Sequence, residues 1–262
     1  MDLELTDSAV LCTAATSGLG LASATAFARE GADVAVCGQT AAHIDDARET
    51  LRGAGNGDVL AVDADITDPS HVRAFVEQTA AEFGGIDHVV TSAGGPPSGP
   101  FDELADRDWY QAYDLLVMSV VWTLRASESH LRESADGSFV AITSRTVREV
   151  REGLLLSNAV RRAVAGLIKT VSRELAPAIR ANAVLPGAHE TSRIAELIEA
   201  AVERGDVADY EAGYRDWAAD VPLERIGDPQ ELGDVVAFLS SPRASYVNGA
   251  AVAVDGGSMR SL

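Results

Sequence analysis

Lysine is almost missing from this 262-residue chain: Lys169 stands alone among 21 basic residues, the rest arginine, against 40 Asp and Glu and a formal charge of −19. So negative a surface excludes nucleic acid and acidic membrane faces as partners, because both repel it. No run approaches the roughly 20 consecutive apolar residues that a membrane span needs, and the first seven residues are acidic where a secretory leader is basic; a soluble, cytoplasmic protein is expected. Cysteine is limited to Cys12 and Cys37, each inside a short apolar run. They read as packed thiols, with neither a disulfide nor a metal site expected. No linker, repeat or low-complexity tract breaks the chain, so one domain over residues 1–262 is expected. The acidic, lysine-poor composition also predicts a salt-rich host, where ions screen the self-repulsion of carboxylates.

What the sequence does contain is alternation. Short β-branched or apolar runs at 9–13, 33–37, 59–63, 88–92, 138–143, 181–185 and 250–254 are separated by amphipathic stretches, a rhythm that predicts a doubly wound α/β fold with seven parallel strands and helices on both faces. Gly31 closes a helix over 22–30. Asp68-Pro69 opens another that Gly84-Gly85 ends. Residues 187–221, with Tyr210, Tyr214 and Trp217 at helical spacing, read as a helical flap inserted near the sheet.

After the first strand, Thr13-Ala14-Ala15-Thr16-Ser17-Gly18-Leu19-Gly20 runs straight into a helix. Glycines there admit a pyrophosphate close to the backbone, and a helix N-terminus supplies free N–H groups and partial positive charge. With this loop, Asp65-Ile66, Ala93-Gly94, Pro186-Gly187 with Thr191, Arg225-Ile226-Gly227 with Glu231, and Asp255-Gly256-Gly257, the sequence resembles the short-chain dehydrogenase/reductase family nearly end to end. Within that family it is similar to 3-oxoacyl-acyl-carrier-protein reductases and their divergent relatives. The family loop reads Thr-Gly-x-x-x-Gly-x-Gly, and Ala14 stands at its first glycine.

The resemblance implies a nicotinamide dinucleotide. Ser17, Gly18 and Leu19 would line its pyrophosphate and Asp65 and Ile66 hold its adenine, with Thr13, Ala15 and Gln39 also among the cofactor-binding residues. Ala93 and Gly94 would flank a ribose, to which Arg161 can still hydrogen-bond, Ile142 is a further cofactor-binding residue, and Pro186, Gly187, His189 and Thr191 would border the nicotinamide. Gly38-Gln39-Thr40 ends the second strand without the carboxylate that grips a 2′-hydroxyl, so the choice between NAD(H) and NADP(H) leans to NADP(H). Asp65 can equally be a turn aspartate, and Pro186-Gly187 an ordinary strand-ending turn. A homodimer or homotetramer is likewise implied, built on the helices over 109–131 and 157–176.

The catalytic pattern departs from the family. Its serine falls at Ser144, but the tyrosine position is Ser157, the lysine position Arg161 and the asparagine position Leu116. Serine is a far weaker acid than tyrosine, and arginine keeps its proton at any working pH. Two readings stay open. One is an oxidoreductase that interconverts a carbonyl and a hydroxyl on a small or acyl-carrier- or coenzyme-A-linked substrate through Ser144, Ser157 and Arg161, with His189 close by. The other is a dinucleotide-binding sensor or scaffold whose chemistry is lost. The proline-rich loop 92–100 would wall the substrate pocket. Arg145, Arg148 and Arg151 form a local cluster suited either to an anionic substrate or to salt bridges with neighbouring carboxylates.

Overall fold

The computed structural model describes residues 1–261, and the apolar runs become seven strands at its centre. These are β1 (Ala9–Thr13), β2 (Asp33–Gly38), β3 (Val59–Asp63), β4 (His88–Thr91), β5 (Ser138–Ile142), β6 (Arg180–Pro186) and β7 (Ala251–Val254). They form one parallel sheet in the order β3-β2-β1-β4-β5-β6-β7. Every strand lies within one residue of its expected bounds, because both faces are covered and side-chain alternation fixes which residues enter each core.

Nine α-helices occur among the described residues: α1 (Gly18–Arg29), α2 (Ala41–Ala54), α3 (Pro69–Phe83), α4 (Asp106–Tyr113), α5 (Ser119–Glu133), α6 (Leu155–Glu174), α7 (Ser192–Arg204), α8 (Tyr210–Ala219) and α9 (Pro229–Ser240). Helix α1 begins four residues before the expected start. Leu11, Val89, Phe139 and Ala181 point to a core shared with α3, α5 and α6. Val10, Val34, Val90 and Val140 point to the opposite core, against Phe27, Leu51 and Val236 of α1, α2 and α9. Both cysteines are buried on the sheet, and burial pushes the Cys37 thiol up to about 12.

Helix punctuation follows local chemistry. The Asp68 carboxylate accepts the Ser70 N–H ahead of Pro69, and Gly84 closes α3 in the left-handed conformation. Between α4 and α5 the helix widens into a π turn over Asp114–Met118. No described helix is long and apolar enough to cross a membrane. Strands β2 and β4 flank β1, and the chain crosses to them over opposite faces of the sheet. That reversal opens a crevice at the carboxyl edge, the place where such sheets take ligands.

Candidate functional site at the carboxyl edge of the sheet

A cleft of about 270 Å³ occupies this crevice. Its floor is the turn from β1 into α1. Gly18 takes φ +55, and a Cβ built on Gly20 would sit 2.7 Å from the Ala14 carbonyl oxygen, so only glycine lets α1 pack this closely on the turn. The N-cap residue Ser17 makes no side-chain bond to the helix, and neither does Thr191, which begins α7 on the opposite wall. Two helix N-termini therefore stay open to an anion in one cleft. Ala14, at the family's glycine position, adopts φ +45.

The sequence-derived catalytic candidates converge here. Ser144, Ser157 and Arg161 all line the cleft. Ser144 follows β5 and caps a short turn, its Oγ accepting the Thr146 N–H at 3.1 Å, which leaves its own O–H free. Ser157 lies in the first turn of α6, its Oγ 3.2 Å from Thr146 Oγ1. One turn later, Arg161 is buried. Its Nη1 donates to the Thr143 carbonyl (3.1 Å) and Nη2 to that of Gly94 (3.3 Å), while Nε has no partner. Burial, reinforced by nearby Arg193, lowers its pKa to about 10, so it stays cationic at neutral pH. Leu116, at the asparagine position, is packed into the core on the π turn.

Among the cofactor candidates, Ser17, Gly18, Leu19, Ala93, Gly94, Ile142, Pro186, Gly187, His189 and Thr191 line the same cleft. Thr13, Ala15, Gln39, Asp65 and Ile66 do not. The Thr13 hydroxyl donates to the Ser92 carbonyl and ties β1 to the end of β4, and the Ala15 N–H is spent on the Cys37 carbonyl. Gln39 is exposed at the tip of β2 and Ile66 is buried. One Asp65 oxygen accepts the Thr67 N–H and hydroxyl in a turn. His189 is buried against Gly227, and its desolvation pulls the imidazole pKa down.

The cradle fits a dinucleotide on three counts: two open helix N-termini, free space beside Gly94 where a Cβ would meet nothing, and an unpartnered Nε on a buried arginine. Residues that line the cleft without having been singled out as site residues include Thr146, Arg193 and Trp217. Arg193 comes from α7 and donates to the Pro96 carbonyl (3.3 Å). Trp217 comes from α8, where the Tyr214 hydroxyl donates to Glu190 and ties that helix to the loop after β6.

The expected arginine cluster splits. Arg145 and Arg151 face the cleft, whereas Arg148 turns away and donates to the Ala251 carbonyl on β7 (3.1 Å). A short turn sends successive arginines to different sides, which sequence proximity alone does not reveal.

A family model described as enoyl-(acyl carrier protein) reductase matches residues 13–259. The chain is 34% identical over 247 residues, 94% of each chain, to the cis-4-hydroxycyclohexanecarboxylate dehydrogenase of Sinomonas cyclohexanicum. It superposes on the L-sorbose reductase of Gluconobacter frateurii, whose structure holds NADPH and L-sorbose, with a TM-score of 0.94, 29% identity and full coverage of both chains. A short-chain oxidoreductase of Pseudomonas aeruginosa PAO1, described as containing an atypical catalytic center, is 29% identical with a TM-score of 0.90, over 98% of this chain and 99% of its own. The matched span, the full-length likeness and the seven-stranded fold place this chain in the short-chain dehydrogenase/reductase family, as an NAD(P)-dependent oxidoreductase.

Proposed function

We propose that the protein interconverts a secondary alcohol and a ketone with NADP(H), using Ser144, Ser157 and Arg161 in place of the family's serine, tyrosine and lysine. One observation carries this reading: two hydroxyls and a buried guanidinium converge in one cleft beside two open helix N-termini. The relatives named for sorbose and for hydroxycyclohexanecarboxylate act on groups of this kind, and the Pseudomonas relative also carries an atypical centre.

Bound nicotinamide would supply or accept the hydride. Ser144 spends its oxygen lone pair on Thr146 and keeps its proton for the substrate oxygen. Ser157 provides the second hydroxyl, through which a proton passes between that oxygen and solvent. Arg161 contributes fixed positive charge rather than a proton. In a site removed from water such charge stabilises developing alkoxide, a contribution typically worth several kcal/mol, about 3 by mutagenesis of comparable donors. Its Nε is buried without a partner, and a ribose hydroxyl would supply one.

NADP(H) is preferred on this reading because Gln39 carries no charge to repel a 2′-phosphate. The substrate is a small alcohol or ketone, or the same group borne on an acyl carrier. The working form is a homodimer or homotetramer.

The test is a fluorescence titration with NADPH and NADH followed by turnover on a ketone panel, in the parent and in Gly18→Val. Saturable NADPH binding with turnover in the parent, and binding at least about tenfold weaker in the variant, is expected. Valine at φ +55 is strained, and its branches would project towards Thr191 at the cradle mouth. Saturable binding without turnover on any ketone would instead identify a dinucleotide sensor.

A further inference from the structure

The cleft has a charge the rest of the molecule lacks. Acidic residues outnumber basic ones almost two to one in the chain, yet the side chains lining this cleft include Arg145, Arg151, Arg161 and Arg193 and no carboxylate. Arg193 stands in the first turn of α7, and Arg161 spans the Thr143 and Gly94 carbonyls; both are assigned to the dinucleotide side in the proposed function. The other two have no role in that reading.

Arg145 immediately follows Ser144, so its position is set by the capped turn that also holds the serine. Arg151 is fixed more elaborately. Its guanidinium carbon sits 3.6 Å from the centre of the Trp217 ring, a cation–π contact that holds the group flat against α8. Its backbone is clamped by Asn158, whose side-chain oxygen accepts the Arg151 N–H at 3.0 Å and whose amide donates to the Arg151 carbonyl at 2.7 Å. Asn158 is next to Ser157 on α6. The anchor of this arginine and the hydroxyl at the reacting centre thus ride on adjacent residues of one helix.

Carboxylates pair with these arginines only in part: Glu149, Glu152 and Asp220 border a neighbouring pocket that Arg145 and Arg151 also line. Asp220 is the one acid within 4 Å of Arg151, at 3.8 Å and largely exposed, and among the described residues none comes that close to Arg145. Glu149 lies nearby, but one of its oxygens accepts the backbone N–H groups of Arg260 and Ser261. Burial above all, and then the neighbouring charge of Arg145, lower the Arg151 pKa to about 10 against the opposing pull of Asp220. Leu154, Ile194 and Leu197 add an apolar wall beside them.

From this arrangement we infer that Arg145 and Arg151 form an anion subsite for the substrate itself, which is a compact oxo- or hydroxy-carboxylate with its carboxylate between the guanidiniums and its reacting carbon at Ser144 and Ser157. The apolar wall takes the aliphatic carbons between the two ends. A free acid brings its charge within a few bonds of the reacting carbon, as a cleft of this size requires, whereas the nearest charge of a carrier-linked thioester is the phosphate at the far end of its pantetheine arm. This inference rests on the proposed alcohol–ketone chemistry for the reacting end of the ligand, but binding of the anion does not depend on turnover.

The experiment separates the two. Cyclohexanecarboxylate and its methyl ester, neither of which has a ketone to reduce, are titrated into the NADPH-loaded protein in 0.5 M salt, following tryptophan fluorescence. In parallel, 4-oxopentanoate, its methyl ester and a 3-oxoacyl pantetheine thioester are tested as substrates. The acid is expected to bind at least about tenfold more tightly than the ester, since a charge-assisted bidentate contact is lost with the charge. The same ratio should appear in KM for the oxo-acid over its ester. Arg151→Gln and Arg145→Gln should each collapse the ratio towards unity, and Arg151→Lys should keep part of it, with NADPH affinity reporting that each variant is folded. Acid binding without turnover of any ketone would uphold the subsite and overturn the proposed chemistry. Turnover of esters or the thioester as readily as the acid would uphold the chemistry and overturn the subsite.

Discussion

The Thr146 hydroxyl stands 3.2 Å from that of Ser157 and 3.4 Å from the Ser157 carbonyl oxygen, while the Thr146 backbone N–H donates to Ser144 Oγ at 3.1 Å. One residue, 1% exposed, therefore touches both hydroxyls of the proposed reacting centre. It stands two residues after the strand-end serine, where nothing in the sequence marks it.

Replacing it tests whether Thr146 orients Ser157. Thr146→Val keeps the shape and removes the hydroxyl; kcat should fall about tenfold, the scale on which misplaced proton-transfer groups act, with KM for NADPH within about twofold. Thr146→Ser should restore most of the rate. A loss of stability with kcat unchanged would mean that the residue only packs.

Ala14 sits at φ +45, in the region that disfavours residues with a Cβ, and it occupies the position where the family has glycine. Ala14→Gly should relieve that strain by more than the chain entropy glycine costs, raising unfolding free energy by about 0.5–1 kcal/mol. Urea unfolding with an unchanged m-value is the measurement, and a destabilised variant would show that the turn is not strained.

Much of this was legible in the sequence and some was not, for reasons visible in particular residues. The strands read well because a strand buried on both faces is a continuous apolar run, as in Val34-Ala35-Val36-Cys37, with punctuation at each end. Ser144, Ser157 and Arg161 could be located because the resemblance to the family supplies the pattern and the intervening elements keep its spacing, which brings the serine and arginine to one helix face. The contact between Arg151 and Trp217 could not be. Arg151 meets Trp217 from a segment 66 positions away, through a pair of helices that read only as a flap, and such a contact leaves no periodic signal.

His88 lies 1% exposed beside Phe27, its Nδ1 2.9 Å from Ser138 Oγ. Burial drops its pKa from 6.5 to about 4. Between those values the unfolded chain takes up a proton that the native protein does not. The stability this histidine supports is complete above pH 6.5 and is lost as pH falls towards 4, by up to about 3 kcal/mol. Denaturant midpoints at pH 7 and 4.5 should therefore differ more in the parent than in His88→Phe with Ser138→Ala; equal differences would place the acid sensitivity elsewhere.

Salt should stabilise this protein. With a formal charge of −19, repulsion among surface carboxylates acts over about 10 Å at 0.1 M salt and about 3 Å at 1 M, so raising salt removes most of the long-range penalty. The melting temperature should rise between those concentrations in potassium chloride. A flat or falling curve would remove the compositional case for a salt-rich host.

Restoring the family's pair is the most searching test of the site. In Ser157→Tyr with Arg161→Lys, the phenol has no room at the Ser157 hydroxyl position, which Thr146 closes, and must extend into the cleft proposed for substrate. Lysine carries a single ammonium on a flexible stem and gives up the planar fork by which Arg161 spans the Thr143 and Gly94 carbonyls. If the present serine and arginine are a working centre, the double variant should lose at least about tenfold in turnover of the native ketone, while its NADPH affinity changes less than about threefold. A gain in ketone reduction from an inactive parent would instead mean that the dinucleotide site had outlived its chemistry and that two substitutions suffice to bring it back. Turnover equal to that of an active parent, with cofactor still bound, would show that neither residue touches the reacting centre and that proton transfer runs through Ser144 alone.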